Sequence, residues 1–82
     1  MKFMVESTIK HAHTEETLAL IPAEQARGLE LDAQRVRHAL YLAADFTKGW
    51  QVLEADSEAA LDALLQSFPL YQFADHHVTP LA

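Results

Sequence analysis

The chain has 82 residues, half of them hydrophobic and none of them cysteine, so it forms a single domain over 1–82 without disulfides or thiolate metal sites. Twelve acidic residues against six basic ones give a net charge of −6, which argues against nucleic acid or an anionic membrane as the main partner. No apolar run reaches the ~18 residues of a transmembrane helix, and the start, Met1-Lys2-Phe3-Met4-Val5-Glu6, lacks a signal peptide's apolar stretch; the expected location is cytoplasmic. A domain of this size buries only about 60–65% of its unfolded surface. It carries more apolar material than one small core needs, so the expected remedy is pairing with itself, as a homodimer or larger homo-oligomer.

Residues 2–10, KFMVESTIK, alternate and are β-branched, which predicts a strand. His11-Ala12-His13 reads as a loop. Thr14 is a fair N-cap, with Glu15 and Glu16 suited to a helix start. Leu18, Ile21, Gln25, Leu29 and Ala33 then step at helical spacing, with Ala26 alongside. Pro22 removes a donor inside that run, so a kink or a fresh helix start is expected there. Residues 36–44 and 50–55 read as a β-hairpin, turning at 45–49 with Gly49 at its end. A helix over 57–68 follows, capped by Asp56 or Ser57, with Ala60, Leu61, Leu64, Leu65 and Phe68 on one stripe and Pro69 as its stop. Residues 73–79 read as a last strand. The order β-α-β-β-α-β is the ferredoxin-like α+β pattern, a four-stranded antiparallel sheet with two helices on one face. Its first strand is central, between the third and the fourth.

Two helices cover one face only. By alternation Phe3, Val5, Leu40, Leu42, Leu53 and Ala55 suit the helix side. The other face then carries Met4, Glu6, Thr8, Arg37, Ala39, Tyr41, Trp50, Val52 and Glu54, with His76 and Val78 or their alternates. So apolar a face asks to be covered, most simply by a second copy of the sheet. Charges enclosed there must pair or line a small-molecule pocket, and Glu6, Glu54 and Arg37 are the members.

The closing stretch LLQSFPLYQFADHHVTPL resembles the end of the muconolactone isomerase family, where a helix runs into Leu-Pro-Leu-Phe/Tyr-Pro-Tyr and a short final strand. MKFMVESTIK is similar to that family's first strand, RHALYLAA to its Arg-His-Leu-Trp-Arg-Ile-Ala stretch, and AEQA to the acidic patch on its first helix. The resemblance implies a dimeric α/β barrel that moves a proton and a double bond within a small unsaturated lactone or keto acid, with no metal or organic cofactor. It implies Glu24 as the base, Arg37 as the carboxylate clamp and His38 as the histidine beside it. Tyr41 stands where the family has its second arginine, and would donate a hydrogen bond to a carbonyl or enolate. Gln72 stands where the family has proline. The Pro69-Leu70-Tyr71 corner is a helix stop and plug, or a lid that brings Tyr71 to substrate. Such a base must work near neutrality, so Glu24 serves only where burial raises its pKa.

Two other readings fit the same residues. One is a cofactor-free oxygenase, with Trp50, Tyr41 and a histidine around an electron-rich aromatic. The other is a non-catalytic module that binds a small acid. His11, His13, His76 and His77 are expected at one end of the sheet, where three imidazoles would suit a transition metal. Adjacent His76 and His77 point to opposite faces, so at most one serves any centre. A proton-shuttle role for one of them fits histidine's titration range better.

Overall fold

Alternation in the first strand decides where the core lies. β1 (Lys2–Ile9) buries Phe3 and Val5 completely on one side, and β3 (Lys48–Glu54) buries Leu53 opposite Phe3. The structure, a computed structural model, describes residues 1–11 and 13–82; the loop assignment at Ala12 lies outside the described residues. The elements run β1, α1 (Glu15–Ala33), β2 (Arg37–Leu42), β3, α2 (Glu58–Gln66), a single 3-10 turn (Tyr71–Phe73) and β4 (Ala74–Pro80). The strands form one antiparallel sheet ordered β2-β3-β1-β4. This is the ferredoxin-like fold, with β1 central and β2 and β4 at the edges.

Both helix caps form as the sequence predicts. Thr14 Oγ1 accepts from the Thr17 N–H at 3.1 Å, and Ser57 Oγ accepts from the Ala60 N–H at 3.1 Å. On α2, Leu61, Leu65 and Phe68 pack against Phe3, Val5, Leu31 and Leu53 in one core. Each such side chain contributes about 1.5–3 kcal/mol of transfer free energy.

Helix α1 departs from expectation twice. It continues as one helix through Pro22 with no fresh start there, and Thr17 before the proline and Gly28 and Leu31 after it are buried. Its inward stripe is also different. Thr17, Gly28 and Leu31 are buried, Leu20 and Glu24 are half-buried between them, and Leu18, Ile21 and Leu29 are exposed. Hydropathy misleads here, since the inward stripe contains a carboxylate and a glycine.

The hairpin loop has the expected length but lies two residues earlier, at 43–47 between β2 and β3. Asp45 Oδ1 accepts from the Thr47 N–H and hydroxyl at 3.1 and 2.7 Å, Phe46 takes the left-handed conformation at φ 61°, and Gly49 falls inside β3. A register shift between Arg37 and Ala39 marks a bulge in β2. It breaks the alternation, so Arg37 pairs with Leu53 on the helix side, while Ala39 and Tyr41 keep the open side. The face assigned to Arg37 from simple alternation is therefore corrected. Likewise His76 and Val78, paired with Ser7 and Val5, face the helices, and their alternates His77 and Thr79 face outward.

Candidate functional site

Glu24 sits midway along α1 on the stripe that meets the sheet, and the chain's closing corner comes to it. Pro69 ends the run from α2, and Phe68 and Leu70 are buried on either side of it. Tyr71 N–H donates to the Phe68 carbonyl and Phe73 N–H to the Leu70 carbonyl, both at 3.0 Å, which fixes a compact turn. That turn aims the Leu70 N–H at Glu24 Oε1, 2.9 Å away. Burial pushes the Glu24 carboxyl above the usual carboxylate range; the Leu70 N–H and the positive fields of His76 and Arg37 pull the other way and do not cancel it. The corner is thus a plug that also holds an acid.

Beside it lies a polar island on the otherwise apolar helix-facing side of the sheet. Ser7 Oγ lies 2.7 Å from His76 Nδ1, and His76 Nε2 lies 3.2 Å from the Tyr71 carbonyl. The Tyr71 ring stacks on the imidazole, with centroids 4.9 Å apart and planes 14° from parallel. Gln51 completes the island. Its side-chain oxygen is buried and has no hydrogen-bond partner, which costs about 1–3 kcal/mol unless a ligand supplies a donor. Gln51 and Ser7 both project to the helix side, from positions opposite Val5 and Gly49. Sequence reasoning named neither Ser7 nor Gln51 for the site. A polar residue on the buried parity of a strand was the available signal.

Arg37 closes the site at the far end of α1. Nε and Nη2 form a bidentate pair with Asp32 at 2.7 and 2.9 Å, and the side chain is 10% exposed. That hydrogen bonding holds Asp32 below the usual carboxylate range.

The other predicted residues lie across the sheet. Tyr41, Trp50, Glu6 and His77 form one row on the open face, by the pairs Tyr41–Trp50, Trp50–Glu6 and Glu6–His77. Lys48 Nζ binds Glu6 at 2.8 Å and lies 6.0 Å from the Trp50 ring centroid; its hydrogen bond keeps the Glu6 carboxyl low. His38 Nε2 meets Glu54 at 3.1 Å. Within one chain the sheet therefore separates Tyr41, His38, Glu6, Trp50 and Glu54 from Glu24 and Arg37. Tyr71 belongs to the Glu24 side through His76. The histidines also part: His13 Nε2 meets the Asp45 carbonyl at 2.9 Å, and among the described residues no group of three metal-ligating side chains converges.

An apolar hollow of about 30 Å³ opens on the far side of Leu70, with exposed Leu18, Ile21 and Phe46 at its rim. It has room for about one water molecule. A wider groove of about 190 Å³ lies between α2 and β4, with Glu58 and Asp62 over a floor of Leu61, Leu65 and Val78. Among the described residues, no helix is long and apolar enough to cross a membrane.

The sequence pattern of the muconolactone delta-isomerase family matches residues 1–82, the whole chain. The chain belongs to that family. A solved muconolactone isomerase superposes with a TM-score of 0.84 at 24% identity, over 100% of this chain and 88% of the other. A 5-chloro-2-hydroxyhydroquinone dehydrochlorinase from Burkholderia phenoliruptrix AC1100, solved with 2,5-dihydroxybenzoquinone, superposes with a TM-score of 0.81 at 16% identity, over 100% of this chain and 94% of the other. At these identities the two structures establish the shared fold. No curated protein sequence matches the chain. Membership fixes the fold and makes isomerase-like catalysis the natural chemistry to set against the geometry. On β2, Tyr41 is 66% exposed on the open face.

Proposed function

We propose that this chain catalyses a proton-shift isomerisation of a small unsaturated lactone or keto acid, with Glu24 as the base. One observation carries the reading. A half-buried carboxylate, its pKa raised by burial, is held by the backbone of the corner that most resembles the family's own. A base so placed can take a proton beside a carbonyl and return it to another carbon near neutral pH. Arg37 lies on the same side of the sheet and adds positive field at Glu24, which suits it to a substrate carboxylate. The orphaned Gln51 oxygen supplies an acceptor for a ligand hydroxyl.

The assembly is a homo-oligomer paired through the open sheet face. There Met4 and Val52 pair side by side and Trp50 flanks Tyr41, with the charges already partnered as Glu6–Lys48 and His38–Glu54. The hollow beside Leu70 is too small for a lactone in a lone chain and is not lined by Glu24, so the reading requires space opened by movement or completed by a neighbouring copy.

Ultraviolet absorbance with muconolactone tests the reading, with Glu24→Gln run beside the unaltered protein. Turnover that drops by about 10²-fold or more in the variant supports it. A folded oligomer that leaves muconolactone and related unsaturated acids unchanged would sink it.

A further inference from the structure

The corner after α2 holds two proton-carrying groups through adjacent residues. Leu70 N–H donates to Glu24, and the Tyr71 carbonyl takes His76 Nε2. A carbonyl only accepts, so Nε2 carries the hydrogen. Nδ1 lies 2.7 Å from Ser7 Oγ, where it accepts from the hydroxyl in the neutral imidazole and donates to the oxygen in the protonated one. The stacked Tyr71 ring fixes the plane of the imidazole. A hydroxyl backed by an imidazole, itself oriented by a third group, is the arrangement by which proteins make hydroxyls carry protons. Ser7 is half-buried, and its partner on β3 is Gly49, over which Leu42 Cδ2 leans, 3.2 Å from where a Cβ would stand.

We propose that Ser7 and His76 form a second proton-transfer group, a hydroxyl–imidazole relay that serves the substrate's oxygen while Glu24 serves its carbon. The inference rests on the isomerase reading above. In the first half-reaction the C–H bond beside the carbonyl breaks. Its proton goes to Glu24 and its electron pair forms the enolate. The Ser7 O–H proton passes to the enolate oxygen, and the proton on His76 Nδ1 refills Ser7. In the second half-reaction Glu24 gives its proton to the distant carbon, and the enol proton returns through Ser7 to His76. No electron is gained or lost, and the protein ends with the protons it began with. The step therefore starts from ionised Glu24 and protonated His76. Glu24 on α1 feels the field of that imidazole, the Tyr71 ring stacks on it, and the Tyr71 hydroxyl lies 3.3 Å from Asp62 on α2.

Two measurements decide it. The first is the pH profile of muconolactone isomerisation for the unaltered protein, Ser7→Ala and His76→Asn, each checked for folding by thermal unfolding. Both variants are expected to lose about 10- to 100-fold in kcat with KM little changed, and to lose the alkaline limb of the profile. A folded Ser7→Ala that keeps kcat within about twofold, with the limb intact, overturns the relay. The second is nitrogen-15 NMR of His76, which needs no turnover. In the neutral imidazole the Nε2–H tautomer is expected. The Nδ1–H tautomer overturns the proposal. Should the unaltered protein leave muconolactone untouched, the isomerase reading fails for that substrate and the NMR result alone decides the relay.

Discussion

The guanidinium of Arg37 occupies the space that a side chain at Gly28 would fill. A Cβ built on Gly28 would stand 2.6 Å from Nη1, 2.7 Å from Nη2 and 2.9 Å from Cζ. Gly28 thus exchanges helix propensity for a seat in which Arg37 lies flat across α1 and reaches Asp32 with two hydrogen bonds. A glycine inside the helix, read from sequence as a weak point, is the complement of an arginine on the next strand.

That pairing predicts the behaviour of Gly28→Ala. The new methyl gains about 1 kcal/mol of helix propensity and displaces the guanidinium, so net stability changes by about 1 kcal/mol or less. Activity is expected to fall nearly as far as in Arg37→Ala. The double variant should be no worse than Arg37→Ala alone, since both changes remove one interaction. Kinetics on the four proteins of the cycle check this, and full additivity of the two losses would refute it.

Glu24 gives a pH prediction of definite sign. Its folded pKa lies above the unfolded value, so between the two the folded chain binds more protons. Stability therefore falls as pH rises through that window, and the cost is fully present above the folded pKa. Glu24→Gln keeps an oxygen for the Leu70 N–H and removes the charge. Its melting temperature is expected to exceed that of the unaltered protein at pH 7, by up to about 5 °C, and to match it below about pH 4. Calorimetry at the two pH values checks both halves.

Gln51 should show stability set against function. Replacing it with methionine removes a buried oxygen that lacks a partner. A stability gain of about 1 kcal/mol or more is expected, with weaker ligand binding. Denaturant titration and ligand-induced thermal shift measure the two effects; a loss of stability would mean that the amide is satisfied within the fold.

The open face carries the assembly prediction. Val52 pairs with Met4 and Ala39 on the uncovered side of the sheet, away from Glu24. The unaltered chain is expected to run at twice its 9.2 kDa or more by light scattering, and Val52→Glu to run near one chain mass. A monomeric unaltered protein would show that this face pairs with nothing.

Composition and alternation by themselves determined the element order, the caps at Thr14 and Ser57, the strand order and the core made by Phe3, Val5, Leu53, Leu61 and Leu65. These are legible because period and punctuation are local properties of a chain. The site was legible only in part. Glu24 could be named from its likeness to the family, but its raised pKa depends on burial, which arises only when the corner at Leu70 packs onto α1. The side taken by Arg37 turned on one bulged residue in β2, which no alternation rule announces. Ser7 and His76 stand 69 positions apart and meet only because β1 and β4 pair with Ser7 opposite His76. The sheet likewise divided one predicted set of residues in two, with Glu24 and Arg37 beneath the helices and Tyr41, Trp50, Glu6, His38 and Glu54 on the open face. Side-chain parity is a local property, but the cover each face receives is fixed by how distant segments pack.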